Sequence, residues 1–209
     1  MGSPQAKLYF AYGSNLHLRQ MQRRCPRSKY IGSGRLPDFR WQINERGYAN
    51  VVPANGGWVD GLVFEIDGSD EDRLDINEGV SIGAYEKQHM RVAVRLAPPL
   101  LYRRPVTWIV ACGGPSAVYA LARQSHDELI EMEVDGVLVY ISSIYVSDGV
   151  PHEEYVQRIN CGLKDSLILG MDDDYVRNCI RPFVPESRAL TNETTVPTEN
   201  IAPDAKERL

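Results

Sequence analysis

The sequence has no hydrophobic run long enough to cross a membrane. A spanning helix needs about 20 consecutive apolar residues, and no stretch of the 209-residue chain approaches that length. The first five residues, Met-Gly-Ser-Pro-Gln, also lack the apolar segment of a secretory signal peptide. We therefore expect a cytoplasmic protein that does not bind a membrane.

Cysteine is scarce, and its spacing argues against a metal centre. The four cysteines stand at positions 25, 112, 161 and 179, so no two of them form a Cys-x-x-Cys pair. The four histidines include no His-x-x-x-His pair either. No zinc or other metal is therefore expected as a cofactor. The scattered thiols are typical of a protein from a reducing compartment.

Positive charge is also in short supply. Lysine and arginine together number 23 against 28 acidic residues, which gives a net charge of −5 and a pI near 5.4. A nucleic-acid surface normally needs a basic patch or stripe, so no nucleic-acid partner is expected. The length and the 43% hydrophobic content suit a single globular domain with a substantial core.

The pattern of the chain changes from strands to helices. Alternating apolar residues predict antiparallel strands between positions 28 and 96 and again at 134–142, and a helical period begins at Pro151. The Asn-Gly-Gly sequence at 55–57 predicts a tight hairpin turn, and residues 106–110 predict a further strand. This order of elements predicts an α+β fold with a curled or barrel-like sheet.

The most informative segment, Tyr12-Gly13-Ser14-Asn15-Leu16, follows an apolar strand and precedes a helical pattern. The start of a helix leaves backbone N–H groups without intrahelical partners, and Gly13 lets a ligand approach the backbone closely. Free amides at this place favour negative charge, such as the oxyanion of a tetrahedral intermediate. Ser14 or Asn15 acting as an ordinary N-cap is the alternative interpretation.

A second segment places one glutamate at the end of a short helix. Ser69 is expected to cap the start of this helix, and Gly79 is expected to end it. Glu78 precedes Gly79, and taken alone it is typical of a solvated surface residue. Glu65 and Glu86 flank the same helix and are the alternative carboxylates for an acid–base role.

The two segments together resemble the γ-glutamylcyclotransferase family. The resemblance rests on Tyr-Gly-Ser-Asn-Leu at 12–16 and on Glu-Gly-Val-x-x-Gly-x-Tyr at 78–85. It implies a small mixed, mostly antiparallel β-barrel with flanking helices, over residues 7–184. Within that domain, residues 97–133 depart from the family pattern and are expected to be a family-variable insertion. Residues 185–209 contain no aromatic residue and many Thr, Asn and Glu, which predicts a flexible C-terminal tail.

The resemblance also implies roles for single residues. Glu78 is the expected catalytic acid–base. Seven further residues are expected to bind the substrate, five in the glutamyl-binding turn and two as pocket walls: Tyr12, Gly13, Ser14, Asn15, Leu16, Tyr85 and Tyr145.

The implied reaction is an intramolecular aminolysis. The α-amine of the substrate attacks its own γ-carbonyl and releases 5-oxoproline and a free amine. This tethered attack needs no enzyme nucleophile and no cofactor. The expected substrate is a γ-glutamyl amino acid or a glutathione-derived conjugate, the latter in specialised metabolite biosynthesis.

Two other functions remain open at this point. One is a γ-glutamylamine cyclotransferase that acts on a crosslink amide such as γ-glutamyl-ε-lysine. The other is a non-catalytic module that binds γ-glutamyl ligands on the same fold. In each case the partner is a small molecule, and the protein is expected to be a monomer or a homodimer.

Overall fold

The structure, a computed structural model, describes residues 6–122 and 130–186. Its strands are β1 (Lys7–Ala11), β2 (Lys29–Ile43), β3 (Ala49–Ile66), β4 (Glu86–Leu96), β5 (Arg104–Pro105) and β6 (Glu131–Ile141). Its α-helices are α1 (Leu18–Arg24), α2 (Gly68–Asn77), α3 (Val106–Ala111), α4 (Pro115–Ala122), α5 (Glu153–Ile168) and α6 (Asp173–Tyr175). Short 3₁₀ helices cover Ser14–Leu16 and Val80–Ile82, and a π-helical turn, Val176–Ile180, follows α6.

Five strands close into a barrel. The order is β3, β1, β6, β4, β2, and β2 pairs again with β3, which completes the ring. The β1–β6 pairing is parallel and the other pairings are antiparallel, while the short β5 adds to β2. The prediction of a small mixed, mostly antiparallel barrel with flanking helices is confirmed.

Helix α5 fixes the segment between β1 and α1. Gly162 allows the close approach, because a Cβ atom there would lie 2.9 Å from the Cβ of Leu16. One turn further along, Asp165 accepts a hydrogen bond from the Leu18 N–H at the start of α1 (2.8 Å). Both contacts hold residues 12–16 in place from the side of the helix.

The prediction of a hairpin turn at residues 55–57 is wrong. The segments on either side of it belong to one strand, β3, and both pair with β2. Pro53 stands opposite Phe39 and Trp58 opposite Pro37, so four residues of β3 face one of β2. The intervening residues form a bulge, and a bulge uses the same glycine-rich sequence as a turn.

The prediction of a strand at residues 106–110 is also wrong, because these residues form α3. Val106 and Ile109 are fully buried and lie three residues apart, which places both on the inner face of a helix. The β-branched composition favoured a strand, but packing against the core outweighs that local preference. The expected cap of α2 is wrong by two residues: Asp67, not Ser69, accepts from the Asp70 N–H (3.0 Å).

The proposed insertion at 97–133 contains β5, α3 and α4 in its described part. Helix α3 packs against α1, and α4 packs against α5. The predicted tail at 185–209 lies outside the described residues from position 187 onwards. Within the described ranges, no helix is long and apolar enough to cross a membrane.

Candidate active site

The turn between β1 and α1 presents three free backbone amides. The N–H groups of Gly13, Ser14 and Asn15 donate to no acceptor within the described part of the chain. The turn is closed by the Leu16 N–H, which donates to the Gly13 carbonyl oxygen (3.0 Å). Three successive unpaired N–H donors, the first of them on a glycine, form the kind of backbone site that binds an anion.

Neither Ser14 nor Asn15 acts as an N-cap, so that alternative fails. The Ser14 Oγ and the Asn15 Oδ1 both accept hydrogen bonds from Gln20 Nε2, at 2.7 and 3.1 Å. Both side chains are therefore held toward α1, and both residues are buried. This leaves the main-chain amides, not the serine hydroxyl, as the groups of the turn that are without a partner in the described part of the chain.

Glu78 lies at the C-terminal end of α2 and faces this turn. Its N–H donates to the Leu74 carbonyl (2.8 Å), and Gly79 ends the helix in the left-handed conformation (φ +64°), as expected. The carboxylate Oε1 lies 3.4 Å from Asn15 Nδ2 and 3.7 Å from Arg24 Nη1. Two segments 63 residues apart in sequence therefore meet at one carboxylate.

Burial shifts the acidity of Glu78. The side chain is 18% exposed, and its burial raises the pKa above the ordinary value for glutamate. The positive charge of Arg24 and the hydrogen bond from Asn15 oppose this shift without cancelling it. The negative end of the α2 dipole acts in the same direction as burial. A carboxylate with a raised pKa can accept a proton from an amine and return it within one reaction cycle.

The charge of this carboxylate acts on several buried tyrosine side chains. Burial is the main cause that raises their pKa values, and the charge of Glu78 raises each of them further, so these phenols stay protonated. The value for one of them, Tyr155, is raised to about 12. The five residues are Tyr9, Tyr12, Tyr85, Tyr140 and Tyr155.

Ala49, the first residue of β3, connects two of these tyrosines to the turn. Its carbonyl accepts from Tyr85 Oη (2.7 Å), and its N–H donates to Tyr155 Oη (3.2 Å). A Cβ atom placed on Gly13 would lie 3.1 Å from Tyr155 Oη and 3.3 Å from the Ala49 Cβ. The turn is thus packed tightly against the rim of the barrel, and glycine leaves the room that this contact needs.

Tyr145 is placed differently from the other predicted site residues. It is half-buried, and within the described residues it makes no hydrogen bond to Glu78 or to the turn. Its carbonyl accepts from Asn50 Nδ2 (2.9 Å), and the Arg46 guanidinium lies 4.9 Å from the centre of its ring. The structure therefore brings Tyr12–Leu16, Glu78 and Tyr85 together and leaves Tyr145 at the outer side.

The two alternative carboxylates point elsewhere. Glu65 forms ion pairs with Lys29 (2.8 Å) and with Arg103 on the barrel wall. Glu86 is exposed and accepts from Gln88 Nε2 (3.2 Å). Of the three candidates, only Glu78 reaches the turn.

Sequence reasoning missed Arg24. Arg24 Nη1 donates to Asn15 Oδ1 (3.1 Å) and lies beside Glu78. A signal was available, because Gln20 and Arg24 stand four residues apart on α1 and so share one face. Ala49 and Tyr155, which reach the site from β3 and α5, were not predicted as site residues either.

A carboxylate with a raised pKa beside unpaired amides is suited to acyl transfer, where a proton moves and an oxyanion develops. A sequence model of the family described as gamma-glutamyl cyclotransferase, AIG2-like, matches residues 9–133. The chain belongs to this family. The match includes the turn, Glu78 and Tyr85.

Individual relatives cover less of the chain. The gamma-glutamylcyclotransferase of Mus musculus is 34% identical over 98 residues, which is 42% of this chain and 52% of the relative. The Homo sapiens protein of the same name is 32% identical over 98 residues, with the same coverage. The chain thus matches about half the length of these curated relatives.

Solved structures extend the likeness to the whole fold. A gamma-glutamyl cyclotransferase structure superposes with a TM-score of 0.57 at 21% identity, covering 91% of this chain and 94% of that one. YkqA from Bacillus subtilis superposes with a TM-score of 0.59 at 16% identity, covering 88% of this chain and 56% of that one. At these identities the likeness shows the fold alone.

Proposed function

We propose that the protein is a γ-glutamylcyclotransferase, which converts a γ-glutamyl amide into 5-oxoproline and a free amine. The observation that carries the proposal is the 3.4 Å approach of the Glu78 carboxylate to the turn that holds three unpaired amides. Family membership supports the same reaction. No enzyme nucleophile or cofactor is needed, because the attacking amine belongs to the substrate.

The first step transfers a proton and forms a bond. The substrate α-ammonium gives a proton to Glu78, and the neutral amine then attacks the γ-carbonyl carbon to close a five-membered ring. Holding the two groups of one molecule in this arrangement can lower the barrier by about 7–11 kcal/mol at best. The raised pKa of Glu78 improves its match to the amine as a proton acceptor.

The second step breaks the original amide. The oxyanion formed on the γ-carbonyl receives hydrogen bonds from the amides of Gly13, Ser14 and Asn15. When the intermediate collapses, the C–N bond to the leaving amine breaks and Glu78 returns its proton to that nitrogen. The ring nitrogen then gives up its second proton, which passes through Glu78 to the released amine. The products are 5-oxoproline and an ammonium ion, and Glu78 is again a carboxylate.

The remaining predicted residues shape the pocket in this proposal. Tyr12 and Tyr85 provide protonated aromatic walls near Glu78. The fully buried side chain of Leu16 anchors the end of the turn in the hydrophobic core. Tyr145 contributes the outer wall. The substrate is a γ-glutamyl amino acid or a glutathione-derived conjugate, in the cytoplasm, where the four unpaired cysteines would remain reduced.

The test uses mass spectrometry to measure the release of 5-oxoproline from a panel of substrates. The panel contains γ-glutamyl dipeptides, glutathione, bulky S-conjugates of glutathione and γ-glutamyl-ε-lysine, with Glu78→Gln as the inactive control. Release from the dipeptides or from glutathione that is lost in Glu78→Gln supports the proposal. Release from γ-glutamyl-ε-lysine alone would assign the crosslink activity. Binding of 5-oxoproline without turnover of any compound would make the protein a binding module.

A further inference from the structure

Three arginines lie near the candidate site, and one of them has no hydrogen-bonded or acidic partner for its side chain among the described residues. Arg24 lies 3.7 Å from Glu78, and Arg158 contacts Glu154 through two hydrogen bonds of 2.8 Å. The guanidinium of Arg46 makes neither a hydrogen bond nor an ion pair with any residue that the structure describes. Because it is half-buried, this cation has lost part of its hydration without gaining an anion.

The β2–β3 hairpin holds Arg46 between two predicted pocket walls. Asn44 Oδ1 accepts from the Arg46 N–H (3.1 Å), and Asn44 Nδ2 lies 3.4 Å from Tyr85 Oη. On its other side, the guanidinium lies over the Tyr145 ring. The charges of Arg46 and Glu78 both act on the pKa of Tyr85, Arg46 lowering it and Glu78 raising it.

The carboxylates near the hairpin are engaged with other groups. Glu45, the neighbour of Arg46 in sequence, accepts from the Ser147 N–H (3.1 Å). Asp148 is bound by Arg40 Nη1 (2.9 Å). Arg46 is therefore available to a ligand, and the planar fork of a guanidinium matches a carboxylate in two parallel hydrogen bonds.

A γ-glutamyl amino acid carries two carboxylates, and the geometry selects one of them for Arg46. The glutamyl carboxylate belongs to the end of the substrate that must lie between the turn and Glu78. Arg46 contacts neither of these groups: at the hairpin tip, its guanidinium lies 4.9 Å from the centre of the Tyr145 ring, which leaves the carboxylate on the leaving amine for it to bind.

We infer that Arg46 is a specificity residue that binds a carboxylate on the leaving amine, so that γ-glutamyl α-amino acids are preferred over γ-glutamyl amines that lack this group. The inference rests on the proposed function and narrows its substrate class.

The experiment compares γ-glutamylalanine with γ-glutamylalaninamide, which differ only in the charge of the leaving group. We expect the wild-type kcat/KM for the acid to exceed that for the amide about 10- to 100-fold, as for a charge-assisted hydrogen bond. Arg46→Gln should remove this preference by lowering the value for the acid alone. Arg46→Lys should retain part of it, and the control Arg40→Gln should retain all of it.

Inhibition by 5-oxoproline separates the two carboxylates, because this product keeps the glutamyl carboxylate and lacks the leaving amine. We expect equal inhibition of the wild type and Arg46→Gln. Weaker inhibition of the variant would place the glutamyl carboxylate on Arg46 and overturn the inference. An equal loss of kcat/KM for the acid and the amide would also overturn it, since this is the result of a purely structural role.

Failure of the proposed function can be distinguished from failure of the Arg46 assignment in the same experiment. If the wild type releases no 5-oxoproline from either compound, the proposed reaction is wrong. Calorimetric binding of the acid and the amide then tests Arg46 by itself. Tighter binding of the acid that Arg46→Gln abolishes would support the inference, and equal binding of the two compounds would reject it.

Discussion

The two ends of helix α2 each carry a largely buried glutamate, and the two side chains behave in opposite ways. Glu71, in the first turn, is 9% exposed and lies between Lys7 (2.6 Å) and Lys87 (3.1 Å). Burial alone would raise its pKa, but hydrogen bonds from these lysines outweigh burial and lower it. Glu78, at the other end, is 18% exposed and its pKa is raised.

The difference shows how the partners of a buried carboxylate act on its pKa. Glu71 is the less exposed of the two, yet two ammonium groups at hydrogen-bonding distance keep it ionised. Glu78 has one guanidinium at 3.7 Å and one amide at 3.4 Å, which are weak partners for a desolvated charge. The helix dipole adds to the contrast, because it favours an anion at the start of α2 and disfavours one at its end.

The largest effect is expected when each glutamate is neutralised in turn and the activity is compared. Glu78→Gln should lower kcat for 5-oxoproline release by about 10²–10⁴-fold, the usual contribution of a general acid–base group. Glu71→Gln should leave kcat within a few-fold of the wild type, because its contacts are to lysines outside the site. Similar losses in the two variants would remove the distinction between the two ends.

Substitutions in the turn that faces Glu78, at the C-terminal end of α2, should also lower the activity. Gly13→Val places side-chain atoms against Tyr155 and Ala49, so it should displace the free amides and lower kcat/KM by about 10²-fold or more. Ser14→Ala removes only the hydrogen bond from Gln20 and should cost less than about tenfold. Equal losses in the two variants would argue against backbone donors, and circular dichroism controls for folding.

The substitution that matters less for activity, Glu71→Gln, should matter more for stability. At pH 7, Glu71→Gln should lower the free energy of unfolding by about 1.5–3 kcal/mol, since it removes hydrogen bonds between charged groups. Glu78→Gln should leave the stability unchanged or increase it, because a carboxylate with a raised pKa destabilises the fold when it is ionised. Urea denaturation of both variants provides the measurement.

The pH dependence of stability sharpens this test. The lowered pKa of Glu71 stabilises the fold at neutral pH, and this stabilisation is lost as the pH falls through the folded-state value. The difference between wild type and Glu71→Gln should therefore narrow below the ordinary glutamate pKa of about 4.3. A constant difference across this range would mean that lost packing, not lost charge, destabilises the variant.

The smallest effect concerns Arg24, whose guanidinium lies 3.7 Å from Glu78. Removing it in Arg24→Met should raise the pKa of Glu78 further, since Arg24 lowers that pKa in the wild type. Glu78 acts in its ionised form, so the acidic limb of the kcat/KM profile should move to higher pH. Arg24→Lys keeps the charge and serves as the control. A limb that stays in place in Arg24→Met would assign it to another group.

The sequence by itself determined the local parts of this protein. The strand before Tyr12, the helix that Gly79 ends and the helical period after Pro151 follow from residue preferences within a few positions, and they are present as expected. The resemblance carried by two short motifs also indicated the barrel and the site residues. These signals depend on neighbouring residues, which a linear sequence contains in full.

Tertiary structure alone decided which distant groups meet. The bulge in β3 and the helix α3 depend on which surface each segment packs against, so local preference predicted both wrongly. In the same way, the partners of Glu71 and Glu78 come from other elements, and nothing in α2 itself distinguishes a glutamate held by two lysines from one left nearly unpaired. Acidity depends on distances through space, and only the closed barrel sets those distances.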